Sequence, residues 1–590
     1  MDFKVQSNAL KLIARMLDSR TSTVPIVPRK RQKARFYPAA PSGTPLPRCA
    51  SEVQGLRSRY IEDYLVELAS DPIIHPQCVA IVRGGNMIAM AAVPPYLTDV
   101  WHATHSLCKS VTALAIGLLI DEGRLSLDSQ LSEFFPEVRR PLSKLRPRAD
   151  GVTVRELLNM SSGAVFNEAG AAVEEDWVSA FLETGLHFES GSEFSYNSMN
   201  SYMLSAIVKV VSGEGLSEYL KSRLFEPLGI EKCFWEKCPK GIEKGGFGMY
   251  LRIEDMAKLG LLVLRRGEWN GARIVSESWC EQMTSVQNKV PNETGRYDYG
   301  YQVWVDKDRN SFSFNGMFGQ NVIVFPDSDI VVACTAGNDN MFQQSTFFDL
   351  TARYFACELP REPIMPAPFA HASLLRTCGL LGQPKKGRLV RSLSRRLGSK
   401  KLPKRCYALN GRRYIFEPVS SSAVGVLPLI VQLLQNTFTD GVRAISFKIF
   451  DDIFYVNIDE GEETHVFAVG FDDAEYGELE ICAEPYYIAV KGTFTHDEDD
   501  TPVLKLTLSF LELPNVRTIK IFGDGDQITT EWSEVPGKNV ITRGLSEIFG
   551  NSSGRAMNAI RQSVAAEYPP YKIDSVIEPV VRATRERNLD

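Results

Sequence analysis

A chain of 590 residues, 44% hydrophobic and 23% charged, can bury a large core and exceeds the length of one domain, which excludes a disordered protein and implies two or more domains. A formal net charge of -6 gives no overall drive toward nucleic acid or an anionic membrane, so neither is an expected partner. The 11 cysteines are odd in number and follow no repeating spacing, which suits buried thiols in a reducing compartment and not a disulfide framework.

The opening MDFKVQSNALKLIARMLDSR carries charge throughout and lacks the apolar core of a secretory signal, so a cytoplasmic location is expected. Residues 1–55 read as an N-terminal extension, because the prolines of VPIVPRKRQKARFYPAAPSGTPLP deny both helix and central strand. From RYIEDYLVELASD the pattern changes to a helix, followed by CVAIVRGGNMIAMAAV, two apolar runs that turn at Gly84 and Gly85 and predict a β-hairpin. VTALAIGLLIDEG predicts a buried helix ending at Gly123. Its apolar run falls short of the roughly 20 residues needed to cross a bilayer, so no transmembrane helix is expected.

Further amphipathic segments lead to SFSFNGMFGQNVIVFPDSDIVVACTAG, two β-rich runs about a PDSD turn. Strands at both ends with helices between predict a sheet assembled from distant parts of the chain and covered by a helical region. This α+β domain spans residues 56–365. Residues 366–405 read as a linker, since PKKGRLVRSLSRRLGSKKLPKR carries only positive charge. Residues 406–590 hold short strands such as AISFKIFDDIFYVNI, VLKLTLSFLEL and RTIKIFGDGDQITTEW. They predict a mostly antiparallel β domain, barrel or sandwich, with LPLIVQLLQNTF as an inserted helix.

HSLCKS, residues 105–110, carries the strongest chemical signal. A serine hydroxyl is a weak nucleophile until something takes its proton. On a helix, residues three apart share a face, so Lys109 would lie beside Ser106 at the helix N-terminus, where the dipole supports negative charge on an attacked carbonyl oxygen. As a bare pattern, the pair also fits a capping Ser followed by a solvated Lys.

The surrounding block, HATHSLCKSVTALAIGLLIDEGRLSLDSQLSEFFPE, closely resembles the penicillin-recognising serine hydrolase superfamily, which includes class C β-lactamases, esterases and D-Ala-D-Ala carboxypeptidases. GVTVRELLNMSSGA, FSYNSMNSYMLSAIVKVVSGEGLSEYLKSRLFEPLGI, GGFGMYLRIEDMAKLGLLVLRRGEWNGARIVS and YGYQVWV follow in the family's order. The resemblance covers residues 60–360 or so and implies a β-lactamase-like fold. Met160 stands where many members have His. In the family's second motif, Tyr-x-Asn, this chain has Tyr196, Asn197 and Ser198. The resemblance therefore implies Ser106 as nucleophile, Lys109 as its base and Tyr196 as a proton relay, with Ser198 as a shorter substrate-binding residue in place of asparagine. The third motif, Lys-Thr-Gly or His-x-Gly, aligns with Phe314, Asn315 and Gly316. These positions would line the substrate, and the cation is lost. Gly316 would let backbone approach the substrate closely. The amides of Ser106 and Met317 would form the oxyanion hole, and Trp304 would wall the pocket.

Other candidates are weaker. His102 and His105 stand beside Ser106, but a base so near in sequence rarely has the geometry. Together they also lack a third ligand at metal spacing. Cys108 points away from the Ser106 face and reads as core, Cys233 and Cys238 form a lone C-x4-C, and the run Asp497–Asp500 reads as a solvated turn. No metal or organic cofactor is implied. The expected activity is acyl-enzyme hydrolysis of a small-molecule ester, amide or peptide. Acyl transfer by the same intermediate, or a non-catalytic binding protein keeping the fold, are the alternatives. The C-terminal domain would cover an apolar surface or mediate self-association.

Overall fold

The computed structural model describes residues 43–136, 149–172, 174–291, 296–339, 346–381, 402–418, 424–435, 437, 439, 441–537 and 578–586. Among these, residues 43–381 belong to one compact unit and residues 402–586 to another. Among the described residues no helix is long and apolar enough to cross a membrane.

The first unit is built on helices α1 (Ser58–Ser70), α2 (Cys108–Asp121), α3 (Ser198–Ser212), α4 (Ile253–Leu264), α5 (Thr346–Phe355) and α6 (Pro368–Gly379). Its main strands are β1 (Pro76–Arg83), β2 (Asn86–Ala92), β3 (Asp298–Tyr299), β4 (Trp304–Asp306), β5 (Ser311–Gly316), β6 (Gln320–Phe325) and β7 (Ile330–Ala336). They form one antiparallel sheet in the order β2-β1-β7-β6-β5-β4-β3. The expected hairpin turns at Gly84 and Gly85, with φ of 56° and 78°, the positive values a two-residue turn between twisted strands requires. β1 then pairs with β7, Val79 opposite Cys334 and Ile81 opposite Val332, so the sheet does join distant parts of the chain.

Both faces of this sheet are covered, which explains strands that read as unbroken apolar runs. Val79, Ile81, Ile323, Phe325, Ile330 and Val332 pack in one core with Tyr64, Leu65 and Leu68 of α1 and Phe355 of α5. The alternate residues Val322, Val324 and Val331 lie against Gly260 of α4. In α2 every residue from Cys108 to Leu119 is buried, and each buried Leu or Ile contributes roughly 1.5–3 kcal/mol.

Two boundary regions differ from expectation. Residues 43–55, read as extension, are tied to the first unit: Met87 N–H donates to Pro47 O at 2.8 Å, and Leu46 N–H to Glu254 Oε1 at 2.6 Å. Residues 366–405, read as linker, begin with α6, whose Ser373 and Thr377 hydroxyls both donate to Glu62 Oε1 on α1, at 2.9 and 2.8 Å. α6 buries little beyond Leu374, Thr377 and Cys378, which left a faint periodic signal. The basic run that follows, residues 382–401, lies outside the described residues.

The second unit has strands β8 (Arg413–Phe416), β9 (Val442–Phe450), β10 (Ile453–Glu460), β11 (Glu463–Val469), β12 (Glu475–Ile481), β13 (Glu484–His496), β14 (Pro502–Phe510), β15 (Val516–Phe522), β16 (Gln527–Val535) and β17 (Val580–Arg585). The expected inserted helix is α7 (Leu429–Gln435). A second, shorter helix, Lys404–Leu409, precedes β8. The strands form a single antiparallel sheet in the order β11-β10-β9-β8-β17-β16-β15-β14-β13-β12. The first strand pairs with the last, Tyr414 opposite Arg585 and Ile415 opposite Thr584. Of the two architectures expected, this is a nearly closed barrel. The open seam lies between β11 and β12, where Gly470 forms a bridge to Lys491 and Phe471 stacks on Phe494 at 5.4 Å. Alternation is regular: Phe454, Val456 and Ile458 are buried between more exposed neighbours. Asp497 closes the β13–β14 turn by accepting from the N–H groups of Asp499 and Thr501.

Candidate active site

Ser106 lies in a short 3-10 turn, His105–Leu107, that leads into α2. His105 has φ of 48°, an uncommon conformation for a non-glycine residue that turns the chain sharply just ahead of the serine. The approach is fixed by pairing: His102 and Ala103 face Leu251 and Tyr250, and both the N–H and the hydroxyl of Thr104 donate to Met249 O.

One turn into the helix, Lys109 is 1% exposed. Its Nζ lies 2.8 Å from Ser106 Oγ, 2.9 Å from Ser198 Oγ and 2.7 Å from Gly246 O. The side chains three apart do share a face, and Lys109 is the opposite of a solvated residue. Its three partners are neutral oxygens, and among the described residues it makes no ion pair.

Gly246 O reaches the lysine because residues 245 and 246 lie flat on α3. A Cβ on Gly246 would stand 2.6 Å from Ser198 O, so no other residue fits there without a shift. The neighbouring Gly245 O accepts from Thr112 Oγ1 at 2.7 Å and from Cys108 Sγ at 3.5 Å. This loop was not singled out in sequence, since a backbone carbonyl leaves no residue letter beyond the glycine pair.

The start of α3 supplies the next partners. Asn197 caps the helix by accepting from Met199 N–H, and its amide donates to Ala164 O and Phe166 O. Ser198, expected to meet substrate, has its hydroxyl engaged by Lys109, while its N–H donates to Glu168 Oε1 at 3.1 Å. Glu168 is exposed and was also missed in sequence. Tyr196 is half-buried and presents its ring face to Lys109, with Nζ 5.0 Å from the centroid. Trp304 is buried and stacks on Tyr196 at 5.8 Å and 20°, so it backs the tyrosine.

The third-motif positions end β5. Phe314 is fully buried, and the Asn315 amide donates to Asn321 Oδ1 at 2.8 Å. What these residues can offer a substrate is therefore main chain. Gly316 permits a close approach, but the group that approaches is Thr104 O, 2.3 Å from where a Cβ would sit. This contact holds the end of β5 beside the turn that carries Ser106. The following turn is pinned to the end of β7, with Gln320 Nε2 donating to Ala336 O and Asn338 N–H to Phe318 O.

His105 is packed edge-on against Phe318 at 5.2 Å, and its buried Nε2 has no hydrogen-bond partner among the described residues. Burial holds its pKa down to about 3, so it is neutral near pH 7. Cys108 is buried, and desolvation pushes its thiol up to about 12. Neither is poised as base or nucleophile. A hydroxyl within hydrogen-bond reach of a buried amine, by contrast, can pass its proton to that amine as it attacks a carbonyl carbon.

A family model described as Beta-lactamase matches residues 77–342. The 6-aminohexanoate-dimer hydrolase of Paenarthrobacter ureafaciens is 26% identical over 303 residues, covering 46% of this chain and 74% of that protein. Penicillin-binding protein 4* of Bacillus subtilis (strain 168) is 28% identical over 149 residues, covering 23% of this chain and 31% of that one. Among solved structures, a D-stereospecific amidohydrolase from Streptomyces sp. superposes with a TM-score of 0.38 at 18% identity, covering 47% of this chain and 94% of that one. Residues 77–342 of the first unit thus match the Beta-lactamase family, and the relatives named above support the penicillin-recognising serine hydrolase superfamily as its place.

Proposed function

We propose that the first unit cleaves an ester or amide through an acyl-enzyme on Ser106. The observation that carries this reading is the Lys109 side chain, buried and bonded to Ser106 Oγ, Ser198 Oγ and Gly246 O. As a neutral amine it donates its two N–H bonds to Ser198 and Gly246 and turns its lone pair to the Ser106 hydroxyl. As an ammonium it donates to all three oxygens.

In the first step the Ser106 proton moves to Lys109 Nζ while Oγ bonds to the carbonyl carbon. The negative charge that develops on the carbonyl oxygen is held by the N–H groups of Ser106 and Met317. The contact between Gly316 and Thr104 O supports this pairing, because Met317 follows the one and Ser106 lies two residues after the other. When the intermediate collapses, the leaving oxygen or nitrogen takes a proton from Lys109, with the Tyr196 hydroxyl as relay. Water then attacks the acyl carbon and gives a proton to Lys109, which passes it to Ser106 Oγ as the acyl–Oγ bond breaks and the acid departs.

The same site lacks a cation at Phe314 and Asn315, so substrates anchored there by a carboxylate, β-lactams among them, turn over slowly. Intact-protein mass spectrometry after exposure to a fluorophosphonate tests the proposal. One adduct on the wild type and none on Ser106→Ala is the expected result. A folded wild type that takes no adduct would overturn it.

A further inference from the structure

The Lys109 side chain bonds to Ser106, Ser198 and Gly246, and one hydrogen bond further on Ser198 N–H reaches Glu168 and Gly246 N–H reaches the backbone oxygen of Lys244. Of the two charged residues reached, Lys244 is buried and Glu168 is exposed. Its carboxylate is held by a backbone donor, and among the described residues no lysine or arginine pairs with it. Given ordinary bond lengths within Ser198, it stands at most roughly 12 Å from Ser106 Oγ. The third-motif positions offer no cation, since Phe314 is apolar and the Asn315 amide is bound to Asn321. The other acid close to this turn, Glu236, is buried and paired with Lys244 at 2.6 Å.

We propose that Glu168 is a specificity-determining residue that selects ester or amide substrates bearing a fixed ammonium group, on either the acyl or the leaving side, over uncharged ones of the same shape. This rests on the serine hydrolase reading above. A purely structural role is also open to Glu168, because a carboxylate at the first turn of α3 complements the helix dipole. The two roles separate cleanly. A positioning role would change the hydrolysis of charged and neutral substrates alike, whereas selection changes their ratio.

The experiment uses two isosteric pairs on the full chain. The p-nitrophenyl ester of 4-(trimethylammonio)butyrate is compared with that of 5,5-dimethylhexanoate, and choline butyrate with 3,3-dimethylbutyl butyrate. One opposite charge at the rim of a wet site predicts kcat/KM higher by about five-fold for the cation of at least one pair, with the advantage falling as salt rises. Glu168→Gln keeps an oxygen to accept from Ser198 N–H, and in it the ratio should fall to near one whatever happens to the absolute rates. A ratio near or below one in both wild-type pairs, with neutral esters still cleaved through Ser106, would overturn the role of Glu168 alone. A wild-type preference that persists in Glu168→Gln would overturn it as well. No turnover of any ester and no fluorophosphonate adduct would sink the hydrolase reading, and this inference with it.

Discussion

Among the buried cationic side chains of the first unit, Lys109 faces three neutral oxygens, one of them the Ser106 hydroxyl, whereas Lys244, Arg252 and Lys258 face carboxylates. In the second unit the buried cation, Arg517, faces the carboxylate of Glu534 at 2.9 Å and Gly425 O at 3.0 Å, while Glu534 also accepts from the N–H groups of Leu429 and Ile430 at the start of α7. Both arrangements remove charge from water at a cost of several kcal/mol per ion. The barrel offsets that cost with a partner of opposite sign and uses the pair to sew a helix onto the strands. Around Lys109 the first unit supplies only dipoles, and in the proposed mechanism this amine takes the Ser106 proton. Buried polar groups that satisfy one another mark structure; those that converge on a nucleophile mark chemistry.

That contrast can be broken at four places. Lys109→Met should lower fluorophosphonate labelling of Ser106 by about 10^3-fold or more. It should leave the first unit folded, with a loss of about 1–3 kcal/mol because Gly246 O loses its buried donor. Glu534→Gln should do the reverse, destabilising the second unit by about 3–5 kcal/mol through the guanidinium it strands. The double variant Arg517→Met with Glu534→Leu should recover most of that loss in the same urea titration.

Gly246→Ala should push the loop off α3 and draw its carbonyl away from Lys109. Labelling should slow by about 10–100-fold, with a loss of about 1–3 kcal/mol from overpacking.

The smallest effect concerns pH. His105 is held neutral by burial, with its pKa near 3 against 6.5 for a free histidine. Between these values the unfolded chain binds a proton that the folded chain does not, so stability rises with pH through this window and is fully present above it. His105→Asn tolerates the positive φ and removes the titration. The stability advantage of wild type over the variant should therefore be smaller at pH 4.5 than at pH 7, by an amount on the order of 1–3 kcal/mol in urea unfolding.

Much of the first unit was legible because its signals are local. The Gly84–Gly85 turn demands positive φ, and Ser106 and Lys109 share a helix face whatever surrounds them. The loss of the third-motif cation was also plain, but the occupation of Asn315 was not. Its partner, Asn321, sits directly opposite across the β5–β6 hairpin, and register is settled by pairing. Gly246 and Glu168 escaped notice for a related reason: one acts through its backbone and the other through a backbone donor. Alternation along β10 predicts a half-buried strand equally in a barrel and a sandwich. The choice between them is made by VVRATR, residues 580–585, pairing with a strand far earlier in the chain.

That last pairing sets the order in which the second unit can be completed. β8 waits for β17 through the synthesis of residues 417–579, which takes on the order of 10–30 s at ordinary translation rates. β8 presents an unpaired edge throughout that interval, and β16 presents another once residues 527–535 are made, the kind of surface that recruits strands from other chains. The nascent barrel is thus a sticky intermediate whose exposure time is set by the ribosome, and ending translation at residue 579 would make that exposure permanent.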